Sequence, residues 1–172
     1  ILLDGRDTRA YDSAHVPGAI NVTMVRAAVG TRAAWVVDPK SEVVVTAETD
    51  DESRRLALLL EAVGFRRIAG LLAGGAPAWH EAALPLQSTA AIDVSELAAR
   101  LRRGEVRLLD VRDPSEWEEG HVEGSRHLPY YDLGKGVPDD LRNGGKPLAV
   151  ACSVGSRSSI AVSLLRRAGV DD

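Results

Sequence analysis

The chain holds a single cysteine, Cys152, and it stands at a junction. The apolar run Leu148-Ala149-Val150-Ala151 leads into it, and Ser153-Val154-Gly155-Ser156-Arg157-Ser158 follows. Beyond that, Ile160, Ala161, Leu164, Leu165 and Ala168 recur at three- and four-residue spacing, which predicts one apolar helix face. The expected order is strand, tight Gly/Ser turn, helix. A thiol at the strand's end faces the amide N–H groups of a helix start and the guanidinium of Arg157, and all of these favour thiolate over thiol. A free thiol titrates near about 8.5, and such settings bring it to roughly 3.5–7.5. The expected chemistry is that of an ionised sulfur nucleophile. A lone Cys is often just a small buried hydrophobe, but a core Cys does not need a Gly/Ser loop and an Arg five positions later.

The helix is expected to open near Arg157, with Ser156 or Ser158 as its cap. Arg166 and Arg167 suit the negative end of the dipole, and Gly169 is a stop signal.

Composition narrows the function classes. Over 172 residues, 45% are hydrophobic and 27% charged, which is ordinary for a folded soluble chain. A net charge of −4 gives no electrostatic reason to expect nucleic acid or an anionic membrane as partner. No apolar run approaches the length needed to span a bilayer. One Cys cannot form an internal disulfide, so a cytoplasmic setting is expected, and a CxxC redox pair is ruled out. His15, His80, His121 and His127 are scattered, so no metal or organic cofactor is expected within the chain.

An internal repeat sets the organisation. Leu2-Leu3-Asp4-Gly5-Arg6-Asp7 returns as Leu108-Leu109-Asp110-Val111-Arg112-Asp113, and His15-Val16-Pro17-Gly18-Ala19 as His121-Val122-Glu123-Gly124-Ser125. Val43-Val44-Val45-Thr46-Ala47 then aligns with Leu148-Ala149-Val150-Ala151-Cys152. The period is that of a duplicated domain, with one copy over 1–85 and the other over 91–172. Leu84 to Ala91 reads as the linker.

The second copy alternates helix and strand. Asp93 and Glu96 have capping-box spacing, and Val94, Leu97, Ala98 and Leu101 form the expected face of a helix ending at Gly104. Strands are expected over 106–111, 126–128 and 147–151, with a helical turn over 115–119. The pattern is that of an α/β fold, a mainly parallel sheet flanked by helices in each copy. Ligands of such sheets sit at the carboxyl ends of strands, where Cys152 falls.

The second copy resembles the rhodanese (sulfurtransferase) domain. The likeness rests on Asp110-Val111-Arg112, Glu116-Trp117, Gly120-His121-Val122-x-Gly124 and Cys152-x-x-Gly155-x-Arg157-Ser158, in order and at the right spacing. It implies that Cys152 takes a sulfane sulfur from a small-molecule donor, becomes a persulfide, and passes the sulfur to a thiol acceptor. It also implies that Ser153, Val154, Gly155, Ser156, Arg157 and Ser158 bind the thiolate, the persulfide and an anionic donor.

The first copy resembles a rhodanese domain without the chemistry. Ala47 stands for Cys152, Glu52 for Arg157, and the loop Glu48-Thr49-Asp50-Asp51-Glu52-Ser53 is acidic. The pairing of an inactive and an active copy resembles the C-terminal part of fusions with a metallo-β-lactamase-fold persulfide dioxygenase. Such an iron-bearing domain, fused or as partner, lies outside this sequence. The first copy lacks a helix equivalent to residues 93–103 and the second lacks an equivalent of 68–79, so the chain is expected to be a fragment.

Asp4, Arg6, Asp110 and Arg112 recur with or without the cysteine, so they are expected to be structural Asp–Arg pairs. His15 and His121 read as turn histidines, and Trp35, Trp79 and Trp117 as core or half-buried anchors. Two other classes compete. A Cys-dependent phosphatase or arsenate reductase places five residues between Cys and Arg, whereas this loop has four. A non-catalytic module that only carries persulfide or docks a partner needs the same residues as one transfer half-reaction.

Overall fold

Short β-branched and leucine-rich runs, each followed by a helical period, build two parallel sheets. The computed structural model describes residues 1–24 and 28–170; residues 25–27 and 171–172 lie outside it. The chain divides into two units, Ile1–Ala90 and Ala91–Asp172.

The first unit runs β1 (Leu2–Asp4), α1 (Thr8–Ser13), β2 (Ile20–Asn21), α2 (Val29–Val36), β3 (Val43–Thr46), α3 (Asp50–Glu61), β4 (Ile68–Leu71) and α4 (Gly75–Glu81). Its sheet has the order β2-β1-β3-β4, all parallel. Leu3, Val43, Leu56, Leu60 and Phe65 are fully buried. Burial of each such side chain contributes about 1.5–3 kcal/mol. The segment expected to be a linker is tied to this unit. Gln87 exchanges both backbone hydrogen bonds with His15 (2.8 and 2.9 Å), and the Thr89 N–H donates to Asp12 O (2.8 Å).

The second unit runs α5 (Val94–Arg102), β5 (Arg107–Asp110), α6 (Pro114–Glu119), β6 (Arg126–His127), α7 (Tyr130–Leu133), α8 (Asp139–Arg142), β7 (Leu148–Ala151) and α9 (Ser156–Arg167). The sheet order is β6-β5-β7, again parallel. Leu109, Ile160, Ala161 and Leu165 form its core, which confirms the expected apolar face of α9. Asp93 caps α5 through the Glu96 N–H (2.8 Å), as its spacing predicts. The expected apolar face of α5 is looser than its pattern: Val94 is 83% exposed, and Leu97, Ala98 and Leu101 are half-buried.

Register positions the functional loops. Asp110 pairs with Ala151 and the Val111 N–H donates to Ala151 O (3.1 Å), so the segment after β5 leaves the sheet beside Cys152. The first unit repeats this, with Asp4 beside Thr46 and the Gly5 N–H donating to Thr46 O (2.7 Å).

Candidate active site

Cys152 follows β7 directly, and α9 begins four residues later. The turn closes because Gly155 adopts φ 86°, a left-handed conformation that costs an L side chain roughly 1–2 kcal/mol. Gly155 is the N-cap, and no side chain caps the helix there. The expected cap at Ser156 or Ser158 is therefore absent, and the amides a cap would satisfy turn to sulfur. The Gly155 N–H donates to Cys152 Sγ at 3.1 Å and the Ser158 N–H at 3.4 Å. Ser158 Oγ lies 3.4 Å from Sγ and donates to Gly155 O at 2.9 Å.

These contacts set the acidity of the thiol. Burial pushes it up, but the Ser158 hydroxyl and the N–H groups of Ser158, Val154 and Gly155 pull it down by more, and Cys152 lies below the ordinary thiol value. Val154 stands at the loop's tip, 55% exposed, and Ser156 is buried in the first turn of α9.

Arg157 does not turn its guanidinium freely outward. Nη1 donates to Asp113 Oδ2 (2.9 Å) and to Glu116 Oε2; Nη2 donates to Glu116 Oε1 (2.9 Å) and to Ser153 Oγ (2.6 Å). The fork on Glu116 is bidentate, the strongest form of an Arg–carboxylate contact. It holds Glu116 at about 2, chiefly through the hydrogen bond from Arg157, and pushes Arg157 further up from its already high value. Arg157, expected to help hold an anionic donor, is here a brace. The guanidinium ties the loop, through Ser153, to α6.

Asp113 and Glu116 complete the loop's surroundings, and Glu116 belongs to the Glu116-Trp117 motif. Their signal is the Asp-x-x-Glu spacing with Pro114 at the first helical position. The Asp113 N–H donates to Glu116 Oε2 (3.2 Å), so the helix cap also positions the ligand of Arg157.

Outside the loop, the recurring pairs are structural, as expected. Arg112 grips Asp110 (2.6 Å) and donates to Gly120 O (2.8 Å); Arg6 grips Asp4 (2.7 Å) and donates to Ala14 O (2.9 Å). Burial pushes Asp110 up, but the Arg112 contacts outweigh it and hold the carboxyl low. His15 stacks on Tyr11 (3.9 Å) and its Nδ1 lies 2.8 Å from Tyr11 O. His121 stacks on Trp117 (3.6 Å) and its Nδ1 lies 3.0 Å from Trp117 O. Trp79 packs against the Tyr11, Val16 and Ala19 cluster. Trp35, expected to be an anchor, is 53% exposed.

The equivalent place in the first unit has a different backbone. Ala47 is buried and α3 begins three residues after it, one residue sooner than α9 after Cys152. Thr49, in an extended conformation, caps the helix by accepting the Glu52 N–H (3.2 Å). Counted from the helix start, Asp51 rather than Glu52 holds the place of Arg157; the charge is inverted in both registers.

The model of the rhodanese-like domain matches residues 1–82 and 93–172. The chain belongs to the rhodanese-like domain family. The two matched segments correspond to the two sheets, as a tandem pair requires. Thiosulfate sulfurtransferase GlpE of Pseudomonas aeruginosa is 32% identical over 78 residues, covering 45% of this chain and 68% of the relative. A probable molybdopterin-synthase adenylyltransferase of Porphyra purpurea is 40% identical over 78 residues, 44% of this chain. The chain spans only 20% of that relative's length. Among solved structures, the rhodanese-like domain of Anabaena protein Alr3790 has 24% identity and a TM-score of 0.49, covering 54% of this chain and 96% of that one. Among the described residues, no helix is long and apolar enough to cross a membrane, and no group of His, Cys, Asp and Glu is arranged to hold a metal ion.

Proposed function

We propose that the second unit is a sulfurtransferase with Cys152 as nucleophile. The thiolate attacks the outer sulfur of a sulfane donor, thiosulfate or a persulfide, and the carrier leaves with the bonding electron pair. The Cys152 persulfide is then attacked at its outer sulfur by an acceptor thiolate, which restores the Cys152 thiolate. Ser153 to Ser158 cradle the sulfur anion in both states. The observation that carries this reading is the convergence of the Gly155 and Ser158 amides on a thiol made more acidic than usual. Family membership supports the reaction class.

The first unit is assigned a non-catalytic, structural or docking role, supported by Ala47 and the shorter connection that follows it. The assigned setting is cytoplasmic. A persulfide dioxygenase, fused or separate, is the macromolecular partner this reading assigns.

Intact mass before and after incubation with thiosulfate or glutathione persulfide tests the proposal. Gain of one sulfur, about 32 Da, in the wild type but not in Cys152→Ser is expected. No gain from either donor overturns it.

A further inference from the structure

Arg157 is the one cation of the Cys152 loop; Ser153, Val154, Gly155, Ser156 and Ser158 carry no charge. Two carboxylates, Glu116 and Asp113, bind it. Arg112, next to Asp113 in the chain, is matched by Asp110 at 2.6 Å. These two cations therefore hold three carboxylates, and Asp113, 47% exposed, is the surplus one. The amides facing Sγ serve the sulfur itself.

We propose that Asp113 is a specificity-determining residue: with Glu116 it neutralises Arg157 and leaves the mouth acidic, so the site takes sulfane sulfur from amine-bearing carriers in preference to dianionic donors. The inference rests on the sulfurtransferase reading. For a thiosulfonate donor, the Cys152 thiolate forms an S–S bond to the outer sulfur as the bond from that sulfur to the sulfonyl sulfur breaks. The pair leaves on the sulfinate, or on sulfite when the donor is thiosulfate. No outside oxidant or reductant is consumed.

The test uses three donors of one chemistry: thiosulfate (dianion), methanethiosulfonate (monoanion) and 2-aminoethanethiosulfonate (zwitterion). Loading of Cys152 on the full chain is followed by intact mass at low ionic strength, each rate being divided by that with a free small thiol. The expected order is zwitterion, monoanion, dianion, with about tenfold between the ends. Asp113→Asn, which keeps a good helix cap, narrows that span by about threefold or more, and Asp113→Glu keeps it. Salt at about 0.5 M collapses the span in the wild type, a readout independent of any variant's folding. Equal normalised rates, thiosulfate fastest, or a span unmoved by both Asp113→Asn and salt overturns the inference while leaving the sulfurtransferase reading intact. Failure of every donor to load the wild type overturns the reading itself.

Discussion

Arg157, in the first turn of α9, is clasped by Glu116 on α6. Nη1 donates to Oε2 and Nη2 to Oε1 (2.9 Å), a contact between residues 41 positions apart. The side chain following the Cys152 turn is thus fixed by an element that leaves the neighbouring strand β5. Alignment of the sulfur cradle depends on two loops at once.

This brace makes stability depend on acidity. Glu116 lies at about 2 in the folded chain, against an ordinary 4.5. A carboxyl depressed by folding adds stability above its ordinary value, and that stability fades as pH falls through the folded one. The melting temperature of the wild type should therefore exceed that of Glu116→Gln by a constant margin above about pH 5. The margin should shrink between 4.5 and about 2. Thermal melts across that range check it; a margin indifferent to pH contradicts the brace.

The thiol's acidity has a separable origin. The Ser158 N–H donates to Sγ and the Ser158 hydroxyl lies 3.4 Å from it, and Ser158→Ala removes only the hydroxyl. The midpoint of the pH profile for Cys152 alkylation should move upward in that variant. The N–H groups of Gly155 and Ser158 remain, so the midpoint should stay below that of an equally buried thiol without amides. An unmoved midpoint would show that the amides alone set the acidity.

Restoring a thiol to the first unit should not restore transfer. In Ala47→Cys, the Glu52 N–H still serves the Thr49 cap, and the residues from 50 to 52 are acidic. Sulfur loading at position 47 should stay undetectable by intact mass in a Cys152→Ser background. Replacing residues 47–52 with Cys-Ser-Val-Gly-Ser-Arg-Ser, one residue longer, should give measurable loading. Loading by Ala47→Cys alone would show that backbone length matters less than the sulfur.

The two Asp–Arg pairs should differ in worth. Asp4 and Arg6 are both buried, whereas Arg112 is 22% exposed. Breaking a buried pair by removing one partner costs about 3–5 kcal/mol, because a charge stays uncompensated. Asp4→Asn should fall in that range, and Asp110→Asn should cost less because water reaches the freed guanidinium. Denaturant melts of the two variants rank them; equal losses would mean exposure does not decide the cost.

Much of this was legible in sequence. Alternating apolar runs and helical periods predict the parallel sheets because each strand and helix carries its own local signal. The Asp110–Arg112 contact spans two residues, so the repeat alone reveals it. The Arg157–Glu116 clasp was not legible: nothing local says which residue a loop cation meets once β5 and β7 are paired. The cap of α9 was misplaced because serine is the commoner N-cap, and only the need of sulfur for amides favours Gly155. The shorter turn after Ala47 is not legible because Ala47 and Cys152, and the glycines after the two helices (Gly64 and Gly169), align at one offset, which hides the earlier start of α3 between them. Trp35 and Val94 have the residue types of a core but stand exposed, and periodicity reports type rather than neighbours.

The turn after Ala47 bears on whether the first unit can change roles. A missing thiol is one substitution away; a missing backbone residue is not. Recovery would require an insertion, a glycine able to turn left-handed, and relief of the acidic start of α3, none of which helps on its own. The two connections are separated by a valley that single mutations do not cross, so under the proposed function the difference between the halves is locked in by geometry.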